Sequence, residues 1–195
     1  MSIKVFQDKT FPNQVSDLMS LMHMIVFTGS DGEESWTNYL SQKQKEYVAL
    51  GLARYYQCDH CVSHHTKAVR KLDKVYENTL SRNIDSIILF LRIDTRAISL
   101  SEKEHWIDAW HRFARNISAA TKDESTPYLI GLAIGMARND EFLIQFCGDE
   151  VKKILSEKNL PVRESIGELE SVVIFMKAAA SKNRIVNKIE RLFQP

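Results

Sequence analysis

Apolar residues recur three and four positions apart through nearly the whole chain, the spacing that gathers them on one face of an α-helix. Behind Pro12 and Asn13, the first stripe runs through Val15, Leu18, Met19, Met22, Ile25 and Val26, with a stop expected at Gly29-Ser30-Asp31-Gly32. Ser41 followed by Gln44 is a capping-box pattern. It opens a segment to Tyr56 with Val48, Leu52 and Tyr55 on one face, and with Ala49, Gly51 and Ala53 small enough to let another helix approach. A third segment spans Cys58 to Leu72, with Cys61, His65, Ala68 or Val69, and Leu72 on one stripe. A fourth lies near 80–94 and holds the run Ile87-Ile88-Leu89-Phe90-Leu91. By periodicity alone that run suits a buried strand, but nothing before residue 170 could pair with it, so it reads as a buried helix.

Ser101 and Glu104 match a second capping box, ahead of Trp106, Trp110, Phe113 and Ile117. Thr126-Pro127 reads as a helix start, an N-cap hydroxyl followed by Pro at the first helical position, with Leu129, Ile130, Ala133, Ile134 and Ala137 behind it. A shorter segment near Phe142 to Leu155 is expected to break around Gly148, and Pro161 separates it from a last long helix at about 163–193. The expected fold is therefore an all-α bundle of seven or eight helices. Only 7 Gly and 4 Pro in 195 residues argue against a turn-rich all-β chain. That length fits one domain over 1–195, with a motif-bearing unit at about 15–95 and additional helices at about 96–195.

Charge and composition exclude several classes. A hydrophobic fraction of 44% supplies enough apolar surface to offset ordering entropy, against intrinsic disorder. The net charge of +1 creates no field that would gather nucleic acid or an anionic membrane. Lys182, Arg184, Lys188 and Arg191 alternate with Ile185, Val186, Ile189 and Leu192, which reads as the solvated face of an amphipathic helix rather than a nucleic-acid surface. The stretch Leu18–Phe27 is too short to span a bilayer, and Met1 to Thr10 has no signal-peptide core. Three cysteines cannot all pair, so a reducing cytoplasm is expected, where a Cys pair is more often catalytic or metal-binding than structural.

The informative stretch is Cys58-Asp59-His60-Cys61-Val62-Ser63-His64-His65. On a helix, positions 58, 61 and 65 share one face, so two thiols and an imidazole meet on one stripe. Backbone N–H groups at a helix N-terminus stabilise a thiolate, and a neighbouring His can accept or shuttle its proton. The C-x-x-C spacing lets the second sulfur close a disulfide on the first, the chemistry of a thiol redox centre. Zinc is the competing reading, with Cys58, Cys61, His65 and one carboxylate as a local ligand set, although structural zinc sites usually bring a second ligand pair and Cys147 stands alone. A thioredoxin-like fold needs a strand before the C-x-x-C, and the flanks here are helical.

Glu46 lies upstream, on the helix leading into the motif, and completes the pattern E-x11-C-x-H-C-x3-H through Glu46, Cys58, His60, Cys61 and His65. This pattern resembles the active-site motif of the AhpD-like alkylhydroperoxidases, in the carboxymuconolactone decarboxylase-like superfamily. The resemblance covers about residues 15–95. It implies Cys61 as the peroxidatic cysteine, oxidised to a sulfenic acid, and Cys58 as the resolving cysteine that condenses with it. It implies His65 and Glu46 as the proton relay and His60 as a supporting histidine. It further implies an all-α fold, trimers or hexamers, no metal, haem or flavin, and reduction by a dithiol partner such as a lipoylated acyltransferase subunit or a thioredoxin-like protein. The motif lies in the first third of this chain, whereas the family carries it in the second half. The decarboxylases of the superfamily generally lack the Cys pair, which disfavours a lactone lyase.

The remaining candidates have plainer readings. Cys147, near Phe142 and Phe146, reads as a buried small hydrophobe. His105 and His111 flank two Trp residues and suit core packing or an oligomer surface. Met19, Met22 and Met24 read as core or interface filler, and His64 is expected to point elsewhere with no role. Beside the peroxidase stand a dithiol–disulfide reductase and a non-catalytic redox or zinc sensor.

Overall fold

The computed structural model describes residues 13–28, 39–74 and 78–192. Among them are eight α-helices and no strand: α1 (Asn13–His23), α2 (Gln42–Tyr55), α3 (Asp59–Leu72), α4 (Asn78–Phe90), α5 (Leu100–Thr121), α6 (Ser125–Arg138), α7 (Glu141–Glu157) and α8 (Val162–Leu192). A π-helical turn, Met24–Thr28, continues α1. The all-α expectation holds, and the run Ile87–Leu91 is helical through Phe90, with Ile87 and Leu91 fully buried. The stop expected at Gly29-Ser30-Asp31-Gly32 lies outside the described residues.

Helix α2 organises the molecule. Every residue from Lys45 to Ala53 is buried, so the helix is enclosed on all sides rather than amphipathic. It packs against α3, α4, α6 and α8, and against the π turn. Gly51 permits a close approach to α6: a Cβ there would lie 2.9 Å from Ile130 Cγ2. Ser41 caps α2 in the expected box, its side chain accepting Gln44 N–H while Gln44 Oε1 accepts Ser41 N–H at 2.8 Å. Glu168 of α8 accepts Tyr39 N–H and Leu40 N–H just ahead of α2, and its Oε2 lies 3.2 Å from buried Lys45 Nζ. The first and last parts of the chain are thus joined at the start of the helix that carries Glu46.

Several expected boundaries move, each for a local reason. Helix α5 starts two residues early. Ser99-Leu100-Ser101-Glu102 also matches the capping pattern, and the box forms between Ser99 and Glu102 rather than Ser101 and Glu104. The earlier box lengthens the helix and leaves Leu100 exposed. Helix α6 starts at Ser125, not behind Thr126, because the Asp123 carboxylate accepts Ser125 N–H, Ser125 Oγ–H and Thr126 Oγ1–H. Pro127 then falls third in the first turn, where its missing N–H leaves no bond unmade. Helix α7 runs unbroken through Gly148, which is buried in the helix interior. Helix α4 ends at Phe90 rather than near 94, in turns closed by Arg92 N–H to Leu89 O and Ile93 N–H to Phe90 O. In α8, Lys182 is buried and Ile185 is exposed, so the clean division into a basic solvated face and an apolar buried face does not hold there. No described helix is long and apolar enough to cross a membrane.

Candidate functional site

The site begins at the turn between α2 and α3. Cys58 N–H bonds back to Ala53 O at 3.0 Å, and Gln57 takes a left-handed conformation, φ 56°. This is the turn that stops one helix and reverses the chain at once. At about 1.5 Å per residue, the chain climbs about 13 Å from Glu46 to Tyr55 and descends about 10 Å from Cys58 to His65. The hairpin therefore returns His65 to the level of Glu46. The spacing read from the sequence is the spacing of a short antiparallel helix pair.

Cys58 is not the first helical residue, as a helix from Cys58 would require, but the N-cap of α3. Its backbone is extended, and its Sγ accepts Cys61 N–H at 3.4 Å. This puts a sulfur in the place of the usual capping oxygen, at the positive end of the helix dipole. The Cys58 and Cys61 sulfurs are bonded, 2.29 Å apart, and both residues are buried. One turn on, His65 Nδ1 lies 2.7 Å from Glu46 Oε2, with both side chains about 3% exposed. With Glu46 as the carboxylate, Nδ1 carries the hydrogen of this bond, which leaves Nε2 as the ring nitrogen for proton transfer. The cost of enclosing a carboxylate is offset by that contact.

Aromatic rings pack beside these polar groups. The Phe27 ring, on the π turn, lies 5.3 Å from His65, 5.5 Å from Phe175 of α8 and 4.9 Å from His23, on which it stacks. His23 Nε2 sits 3.3 Å from His64 Nε2. Burial pushes the His64 pKa down to about 4, and electrostatic interaction with His65, His23, His60 and Lys67 acts in the same direction. Burial also lowers His23, with Glu46 opposing and His65 adding to the shift. The two rings therefore meet as neutral imidazoles at neutral pH, one donating and one accepting. From α8, Asn183 Nδ2 reaches both sulfurs, 3.3 Å from Cys58 Sγ and 3.4 Å from Cys61 Sγ.

Four of the five expected site residues thus form two joined pairs, Cys58 with Cys61 and Glu46 with His65. His60 is exposed on the first turn of α3 and acts electrostatically to lower the His64 pKa. His64, expected to have no role, faces His23. Asn183, His23 and Phe27 were not marked by the sequence pattern. Asn183 carried a faint signal, since it continues the stripe of Met176, Ala179 and Ala180, where an apolar residue would be expected. His23 carried one too, as the polar residue between Met22 and Met24.

The other candidates lie elsewhere. Cys147 is fully buried, and burial, aided by Glu150 and Asp140, pushes its thiol far above the usual range, so it behaves as an apolar group. His105 Nδ1 contacts Ser101 O on the exposed side of α5, and His111 Nδ1 lies 2.9 Å from Tyr128 Oη. Met19 is buried and Met24 exposed. Among the described residues, no three His, Cys, Asp or Glu side chains gather as a metal-binding group. No protein-family model matches the chain, and no curated protein and no solved structure matches it either.

Proposed function

We propose that this chain is a thiol-dependent peroxidase of the AhpD-like kind, reducing organic peroxides or hydrogen peroxide through a Cys58–Cys61 disulfide cycle. The observation that carries the reading is the buried Glu46–His65 contact set one helical turn below the bonded cysteines. A structural disulfide has no use for a buried acid–base pair at that position. A redox dithiol needs one to take up and deliver protons.

In the cycle, His65 Nε2 takes the Cys61 thiol proton, the resulting thiolate attacks the terminal peroxide oxygen and the O–O bond breaks. The alkoxide leaves with a proton from His65, giving the alcohol and a sulfenic acid on Cys61. Cys58 sulfur then attacks Cys61 sulfur, the S–O bond breaks, and hydroxide leaves as water with the second proton. One peroxide and two thiols yield one alcohol, one water and one disulfide. A partner dithiol, a lipoylated acyltransferase subunit or a thioredoxin-like protein, restores the thiols by two exchange steps and becomes a disulfide itself. A reducing cytoplasm supplies such dithiols, and a homo-oligomer is part of the same proposal. His60, on the exposed side, is the proposed supporting histidine.

The test is steady-state consumption of cumene hydroperoxide with dihydrolipoamide as reductant. His65→Asn and Glu46→Gln are expected to lower the rate by about 10²-fold or more, the usual worth of a positioned proton-transfer group, with helicity intact. Wild-type protein that ignores peroxide yet exchanges rapidly with lipoamide would instead be a dithiol–disulfide reductase.

A further inference from the structure

We propose that Asn183 is the thiolate-stabilising donor of the dithiol, a role assigned by its amide reaching both sulfurs at once. Asn183 lies 125 and 122 residues from Cys58 and Cys61 in the chain, so only the packing of α8 on α3 brings it there. On the preceding turn of α8, Ala179 and Ala180 are small and both buried. An amide NH2 has two hydrogens, which matches two acceptors at nearly equal distance.

Neutral disulfide sulfurs are weak acceptors, so the contact is worth little in the oxidised protein. On reduction one sulfur becomes an anion, and the same N–H group then makes a charge-assisted bond of about twice the strength. Asn183 therefore favours the state that reacts, the thiolate, over the thiol. Cys61 N–H already donates to Cys58 Sγ. The amide adds a donor from a different helix and is the side-chain group shared by both sulfurs. This rests on the redox-dithiol reading above, but not on peroxide being the oxidant.

The experiment is the pH dependence of iodoacetamide alkylation of the fully reduced protein, in wild type, Asn183→Leu and Asn183→Asp. Both variants keep four side-chain heavy atoms branched at Cγ. The titratable groups on the surrounding elements include Asp59, His60, His64, His65 and Lys67 on α3, Glu46 on α2, His23 on α1, and Lys182 and Arg184 on α8. All are unchanged in each variant, so a shift reports the amide. Asn183→Leu is expected to raise the lower alkylation midpoint by about one pH unit, a tenfold loss of thiolate at a fixed pH below it. Asn183→Asp should raise it at least as far, because an anion replaces the donor. If Asn183→Leu fails to fold, as judged by circular dichroism, Asn183→Ala takes its place. Midpoints unchanged in folded variants would overturn the assignment, even if alkylation slowed equally at every pH, because uniform slowing is the mark of a merely structural residue. Alkylation needs no peroxide, so this result stands whether or not the protein turns peroxide over.

Discussion

Lys45 and Glu46 are adjacent charged residues inside a helix buried on every side, and each is met by a different neighbour: Lys45 by Glu168 of α8, Glu46 by His65 of α3. Such a pair of enclosed charges is costly to place and costly to break. Its presence in α2 is what separates this site from a plain disulfide in a helical core. His64 is the residue whose titration can be followed in stability. Its pKa falls from 6.5 to about 4 on folding, so between those values the unfolded chain binds a proton that the folded chain does not. Its contribution is fully present above about pH 6.5 and is lost as the pH falls toward 4. Urea midpoints at pH 7.5 and 5.0 should therefore drop less for His64→Gln than for wild type, and equal drops would contradict the assignment. Part of the site was legible in the chain, because Glu46, Cys58, Cys61 and His65 lie within one helical hairpin and local spacing determines their meeting. Asn183 and Phe175 were not, since their place depends on how α8 crosses α3, a long-range matter that no local pattern encodes.

At the scale of elements, the helix types were plain and several of the ends were not. Ser99 and Ser101 both precede a Glu at the capping distance, so the sequence offered two starts for α5 and the longer helix formed. Ser99→Ala should cost about 1 kcal/mol in unfolding free energy, while Ser101→Ala, inside the first turn, should change it by a few tenths or less. The reverse order in chemical denaturation would mean the helix starts at the later box. The break expected at Gly148 failed for a related reason. A glycine weakens a helix by about 1 kcal/mol, and burial of α7 through Leu143, Cys147, Val151 and Leu155 outweighs that.

Across the whole molecule, the second half of the chain does more than extend the first. Helices α6 and α8 enclose α2, Glu168 holds its entrance, and Asn183 and Phe175 line the site built on α2 and α3. Close helix contact is the condition for this. Gly131 sets it between α6 and its neighbours α5 and α7, since a Cβ there would fall 2.6 Å from Cys147 Sγ and 3.0 Å from Trp110 Cζ2. Gly131→Ala should destabilise the protein by about 1–3 kcal/mol, an overpacking cost, and adding Cys147→Ala should recover part of it. Strict additivity of the two would show that the helices do not meet there as closely as described.

The measurement closest to the centre is a titration of the fully reduced protein with one equivalent of an alkyl hydroperoxide, followed by intact mass and peptide mapping. The expected result is loss of two hydrogens mapped to Cys58–Cys61, no such product in Cys61→Ser, and a sulfenic acid trapped at Cys61 in Cys58→Ser. An unchanged mass with both thiols still free would contradict peroxide reduction at this site.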